Sequence, residues 1–264
     1  MDSQTRTIAI VNQKGGVGKT TTSINLAAGL AAHGQRVLLI DLDPQGNATT
    51  GLAIKRGATD ITLYDVLADR APLNGAIMKT QVKGLDIVAS DMDLSGIETV
   101  LGTTEGRTVR LKTALADHAG HYDYVLIDCP PALGLLTVNA LAAASSVIVP
   151  LQCEFFALEG LSQLLRTVET AKSSINPALV IDGVMLTMYD KRNRLSEQVA
   201  ADVRKHLGRA VFKTIIPRNV RVAEAPSFGL PVTEYDPSCV GAQAYLALAK
   251  EILSRHKRTT KREL

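Results

Sequence analysis

Short apolar runs alternate along the chain with longer, helix-like stretches. Residues 6–12, 37–41, 85–88, 124–128, 146–149, 180–186 and 213–216 each read as a strand. Most are apolar at successive positions rather than at every second one, as in parallel strands covered on both faces. Residues 20–33 and 196–207 suit helices that stop at Gly34 and Gly208. This alternation predicts an α/β fold, a doubly wound and mostly parallel sheet with helices on both faces. No repeat, low-complexity stretch or linker breaks it. Residues 1–264 therefore read as one domain, and the basic tail 254–264 is expected to be flexible.

Composition is that of a globular chain, with 46% hydrophobic and 21% charged residues. No apolar run approaches the roughly 18 residues of a membrane span. The polar start gives no sign of a signal peptide. Three scattered cysteines (Cys129, Cys153, Cys239) fit neither a disulfide framework nor a zinc site, which points to a reducing cytoplasm.

The segment Gln13-Lys14-Gly15-Gly16-Val17-Gly18-Lys19-Thr20-Thr21 follows a predicted strand and opens a predicted helix, the setting of a phosphate-binding loop. Glycines let backbone N–H groups curl around phosphate oxygens, and the helix start adds partial positive charge. Lys19 is placed to reach the β- and γ-phosphates of ATP, and the Thr20 hydroxyl to ligate Mg²⁺. A carboxylate after the second strand, Asp43, is placed to orient a water against the γ-phosphate. Asp41 reads as a residue that holds this loop by hydrogen bonds. Asp128 ends an apolar strand and reads as a carboxylate that holds Mg²⁺ through its water shell.

The loop departs from the common phosphate-loop pattern: Gln13 stands where a glycine is usual, and a second lysine, Lys14, sits near its start. With Asp43-Pro44-Gln45-Gly46-Asn47, Asp128-Cys129-Pro130-Pro131 and Pro217-Arg218-Asn219, the chain resembles the deviant-Walker-A ATPases that include the ParA and Soj partition proteins and MinD. The resemblance spans about residues 7–253. It implies that Lys14 crosses a dimer interface to the partner's nucleotide, that Asp43 positions the attacking water and contacts Mg²⁺ through water, and that Pro217 and Asn219 touch the adenine. It further implies a chromosome or plasmid segregation ATPase, stimulated by a ParB-type centromere-binding partner. Cys129 does not match the cysteine pattern of the related iron-protein branch, so no iron–sulfur cluster is expected.

Net charge is only +3, but residues 191–221 hold nine basic and two acidic side chains. Lys191, Arg192, Arg194, Arg204, Lys205, Arg218 and Arg221 therefore read as a surface for non-specific double-stranded DNA, salt-sensitive and without base readout. The tail is basic too, yet has almost no apolar face to insert into a membrane. The expectation is an ATP-dependent homodimer on the nucleoid, with no membrane contact. The competing readings are a metabolic P-loop enzyme, such as a dethiobiotin-synthetase-like ligase, and a MinD-like spatial regulator at the membrane.

Overall fold

The computed structural model describes residues 5–55, 57–116 and 121–260. Seven strands form one sheet: β1 Arg6–Ile10, β2 Val37–Asp41, β3 Ile77–Lys79, β4 Leu85–Val88, β5 Tyr124–Asp128, β6 Ser146–Gln152 and β7 Val180–Thr187. Their order is β3-β4-β2-β5-β1-β6-β7. All neighbours are parallel except the edge pair β3–β4.

Alternate strand residues feed two apolar layers. Ile8, Ile10, Leu39 and Leu126 pack on the face covered by the helices Lys19–Ala32 and Val240–Thr260. Ala9, Leu38, Ile40, Val125 and Ile127 pack on the opposite face, under Leu135–Ala143, Ala157–Ser174 and Arg194–Leu207. Both faces are buried, which is why the strands read as continuous apolar runs. From β1 the chain winds to one side through β2 and β4, returns to β5, and then continues to the other side through β6 and β7. The carboxyl ends of β1, β2 and β5 lie side by side at this switch, where open α/β sheets bind ligands.

Three sequence expectations need correction. Residues 213–216 form no strand: the Lys213 and Thr214 amides donate to the Glu251 carboxylate, each at 2.9 Å, so these groups join no ladder. Strand β3 is additional to the expected set, a three-residue edge piece too short to show as an apolar run. The tail is not loose from residue 254, because the last helix continues to Thr260. Arg255 holds it to the carbonyls of Asp182 and Val211, each at 3.1 Å, and His256 is buried between Tyr124 and Asp182. Residues 261–264 lie outside the described residues.

Candidate active site

The loop after β1 turns through Gly16 and Gly18, with φ of +74° and +88°. This left-handed backbone strains a residue with a Cβ, so glycine is required at both. A Cβ on Gly15 or Gly16 would meet nothing within 4 Å, so the cradle is open above the loop. Gly18 caps the Lys19–Ala32 helix without a side-chain hydrogen bond, leaving its first amides to a ligand. Two residues that the motif does not reveal hold the loop down. Asn12 accepts from the Lys14 amide at 3.0 Å and donates to the Pro150 carbonyl at 2.7 Å. The Thr187 hydroxyl donates to the Val17 carbonyl at 2.9 Å.

Lys19 is only 7% exposed, and its ammonium donates to the Lys14 carbonyl at 3.3 Å. Burial lowers its pKa, while the nearby Asp128 and Asp43 carboxylates favour its charged form. Lys14 is different. Its side chain is half exposed at the mouth of the loop and is ion-paired with Glu154, 140 residues away in sequence. Phe155 and Phe156 beside Glu154 are 75% and 67% exposed, an apolar pair at the same rim.

Three carboxylates stand behind the loop. Asp41 and Asp128 are register partners at the ends of β2 and β5, and both are fully buried. Asp41 Oδ2 accepts from the amide and the hydroxyl of Thr49, each at 2.7 Å, which fastens the short helix Asn47–Gly51 to β2. Asp128 Oδ1 accepts from the Ser23 hydroxyl at 2.8 Å. Asp41 Oδ1 and Asp128 Oδ2 have no hydrogen-bond partner. Burial pushes both carboxyls up; the charge of Asp41 adds to the rise at Asp128, and that of Asp43 adds to it at both. The Thr20 and Ser23 hydroxyls act on Asp128 in the opposite sense. Asp43 is 8% exposed and accepts from the Gln45 amide at 3.0 Å. A threonine hydroxyl beside buried carboxylates with unused oxygens is a hard oxygen donor set that suits Mg²⁺. No group of three or more His, Cys, Asp or Glu side chains makes a metal cage among the described residues.

The segment 217–219 is joined to the residues just beyond β7. Pro217 bridges to Tyr189, just beyond β7, and Met188 Cε would lie 3.7 Å from a Cβ on Gly18. The Asn219 side-chain oxygen caps the helix Val220–Glu224, accepting from the Val222 amide at 3.3 Å.

The basic residues differ in their partners. Arg192 pairs with Asp190 at 3.1 Å, and Arg218 also acts on Asp190 electrostatically. Arg221 pairs with Glu224 at 2.9 Å and with Asp236 at 3.5 Å. Arg194 and Lys205 lie eleven residues apart on one helix, about three turns and ~16 Å. Both stand on its exposed side, opposite the buried Val199 and Val203. Lys191 is exposed, and Arg204 donates to the Lys213 carbonyl at 3.3 Å.

A glycine loop between a central strand and a helix, backed by carboxylates on adjacent strand ends, defines a P-loop nucleotide-hydrolysing protein built for ATP and Mg²⁺. Comparison with known proteins narrows this class. A family model described as an AAA domain matches residues 5–181. The chromosome partitioning protein ParA of Caulobacter vibrioides is 62% identical over 96% of this chain and 95% of its own. The sporulation initiation inhibitor protein Soj of Bacillus subtilis is 54% identical over 93% and 97%. Among solved structures, cobyrinic acid a,c-diamide synthase from Mycobacterium smegmatis with bound ADP and magnesium is 39% identical, covers 96% of each chain and has a TM-score of 0.85. The chain belongs to the ParA/Soj family of chromosome-partitioning ATPases.

Proposed function

We propose that the 264-residue chain acts as one ATP-switched unit that grips DNA as a homodimer and lets go on hydrolysis. The observation that carries this reading is the contrast between the two loop lysines. Lys19 is buried against its own phosphate site, whereas Lys14 stays half exposed at the rim, beside Phe155 and Phe156. A cation left at the outer edge of a phosphate site can serve a nucleotide held by a second copy.

In this reading the amides of Gly15, Gly16, Val17, Gly18, Lys19, Thr20 and Thr21 and the Lys19 ammonium hold the phosphates of ATP. Lys14 leaves Glu154 and donates to the partner's phosphates. Asp43 accepts a hydrogen bond from the attacking water and aligns it with the γ-phosphate. Thr20, Asp43 and Asp128 would hold Mg²⁺, which would supply neutralisation of the charge that develops on the phosphates. Pro217 lies against the adenine. The Asn219 amide N–H₂ donates to a base acceptor, its oxygen being engaged by the helix cap.

Lys191, Arg192, Arg194, Arg204, Lys205, Arg218 and Arg221 make the DNA contacts, all to phosphates. Dimerisation doubles these contacts, and the second set binds at high local concentration. A ParB-type centromere-binding protein stimulates hydrolysis, and the protein resides in the cytoplasm on the nucleoid. A membrane role is disfavoured by packing. The apolar side of the Val240–Thr260 helix, with Ala242, Tyr245, Leu248, Ala249 and Ile252, is already spent in the core. No helix among the described residues is long and apolar enough to cross a membrane.

The test is a titration of random-sequence duplex DNA with ATP, ADP or no nucleotide at two salt concentrations. Binding with ATP alone that weakens steeply with salt supports the reading. A metabolic ATPase would hydrolyse ATP and show no nucleotide-dependent binding to DNA.

A further inference from the structure

We propose that Ser23 is a positioning residue for the metal site, orienting the Asp128 carboxylate so that its Oδ2 faces the Mg²⁺ water shell. This rests on the reading of Asp128 given above. Ser23 is fully buried, one helical turn beyond Lys19. Its hydroxyl oxygen stands 3.0 Å from the Lys19 carbonyl and 2.8 Å from Asp128 Oδ1. A hydroxyl has one hydrogen, so it serves one of these acceptors at a time. The bond to an ionised carboxylate is the stronger, so a metal-ready Asp128 takes it. The bond back to the Lys19 carbonyl is one that a helical serine makes with no gain in stability.

The consequence is an asymmetric carboxylate. Oδ1 is committed to Ser23, and Oδ2 is buried with no partner at hydrogen-bond distance, although the Thr20 hydroxyl also acts on this carboxylate. A carboxylate held at one oxygen cannot rotate freely, so the other keeps its direction. Thr20 and Ser23 are three residues apart and share one side of the helix. One turn of the helix thereby carries both the hydroxyl that ligates the metal and the hydroxyl that braces its carboxylate. Outer partners of this kind set ligand direction at metal sites, and their loss typically costs 10–100-fold in metal affinity. Nothing in the loop motif calls for a hydroxyl at position 23, which in the sequence merely ends a Thr-Thr-Thr-Ser run.

The experiment measures binding of a fluorescent, non-hydrolysable ATP analogue to the full chain, first in EDTA and then during titration with Mg²⁺. Ser23→Ala is expected to leave metal-free binding unchanged and to raise the Mg²⁺ midpoint by about 10-fold or more. Ser23→Thr, which keeps the hydroxyl, restores the wild-type midpoint. Asp128→Asn serves as the reference and raises the midpoint as well. If Ser23→Ala titrates like wild type while Asp128→Asn is impaired, the brace is wrong and the Asp128 reading stands. If Ser23→Ala weakens metal-free binding as much as metal-dependent binding, Ser23 supports the loop and not the carboxylate. If neither variant moves the midpoint, the metal role of Asp128 falls and this inference falls with it.

Discussion

Asp41 and Asp128 stand opposite one another as register partners on β2 and β5, both fully buried, each with one carboxylate oxygen that no hydrogen bond reaches. Two carboxylates in that position are costly to ionise together. Burial is the main cause of the upward shift in both; the charge of Asp41 adds to it at Asp128, and that of Asp43 adds to it at both. Between the usual carboxylate range and about pH 7, the folded apo chain therefore binds more protons here than the unfolded chain does. Their stabilising contribution is full below that window and is lost as pH rises through it. Asp128→Asn removes one partner. The variant without nucleotide should be more stable than wild type at pH 7.5 by about 1–2 kcal/mol, and the difference should shrink toward pH 5. Urea unfolding at the two pH values checks both the sign and the trend.

Glu154 holds Lys14 within its own subunit, but both side chains are about half exposed. Such a pair contributes only about 0.2–1 kcal/mol. It is a light catch, one that the triphosphate of the proposed second copy would displace. Glu154→Gln should lower the protein concentration at which ATP-dependent dimers form, by about 1.5- to 5-fold, as that energy implies. Sedimentation over a concentration series checks this, and unchanged or weaker dimerisation would remove the catch.

Asp43 is nearly buried and touches the Gln45 amide, so its carboxylate has a fixed direction. Asp43→Ala should cut ATP turnover by about 100-fold or more. Dimers should still form with ATP, and the variant should stay on DNA after wild type has left. Phosphate release and DNA retention, measured on the same sample, test the two halves together.

Arg194 and Lys205 project from one exposed helix side with three turns between them. If they touch phosphates, Arg194→Ala and Lys205→Ala each remove one neutralising charge per subunit. Affinity should fall about equally for unrelated DNA sequences, and the slope of log affinity against log salt should drop by about 1 for each phosphate left without its cation. An unchanged slope for both variants would mean that this helix side carries only solvated charge.

The phosphate loop is legible in the sequence because its chemistry is local. Gly16 and Gly18 occupy backbone conformations that other residues resist, and Lys19 must follow them closely. Strands such as Tyr124–Asp128 are legible because burial on both faces demands an unbroken apolar run. What depends on distant neighbours is not. Glu154 meets Lys14 only because β6 lies beside β1. The apolar run at 213–216 has the pattern of a strand, yet the Glu251 carboxylate takes the amides of Lys213 and Thr214. The tail has the composition of a frayed end because Arg255 and His256 are polar, and polarity does not reveal that Asp182, on β7, is waiting for them.

The central claim is that ATP, through Lys14, joins two copies of this chain. Light scattering coupled to gel filtration tests it most directly, using wild type and Lys14→Ala with ATP and Mg²⁺, with ADP and Mg²⁺, and without nucleotide. Wild type should keep the 28.2 kDa mass of one chain except with ATP, where the mass should double. Lys14→Ala should bind the nucleotide and remain a single chain throughout. Equal masses for wild type in all three conditions, or ATP-driven dimers of Lys14→Ala indistinguishable from wild type, would contradict the account.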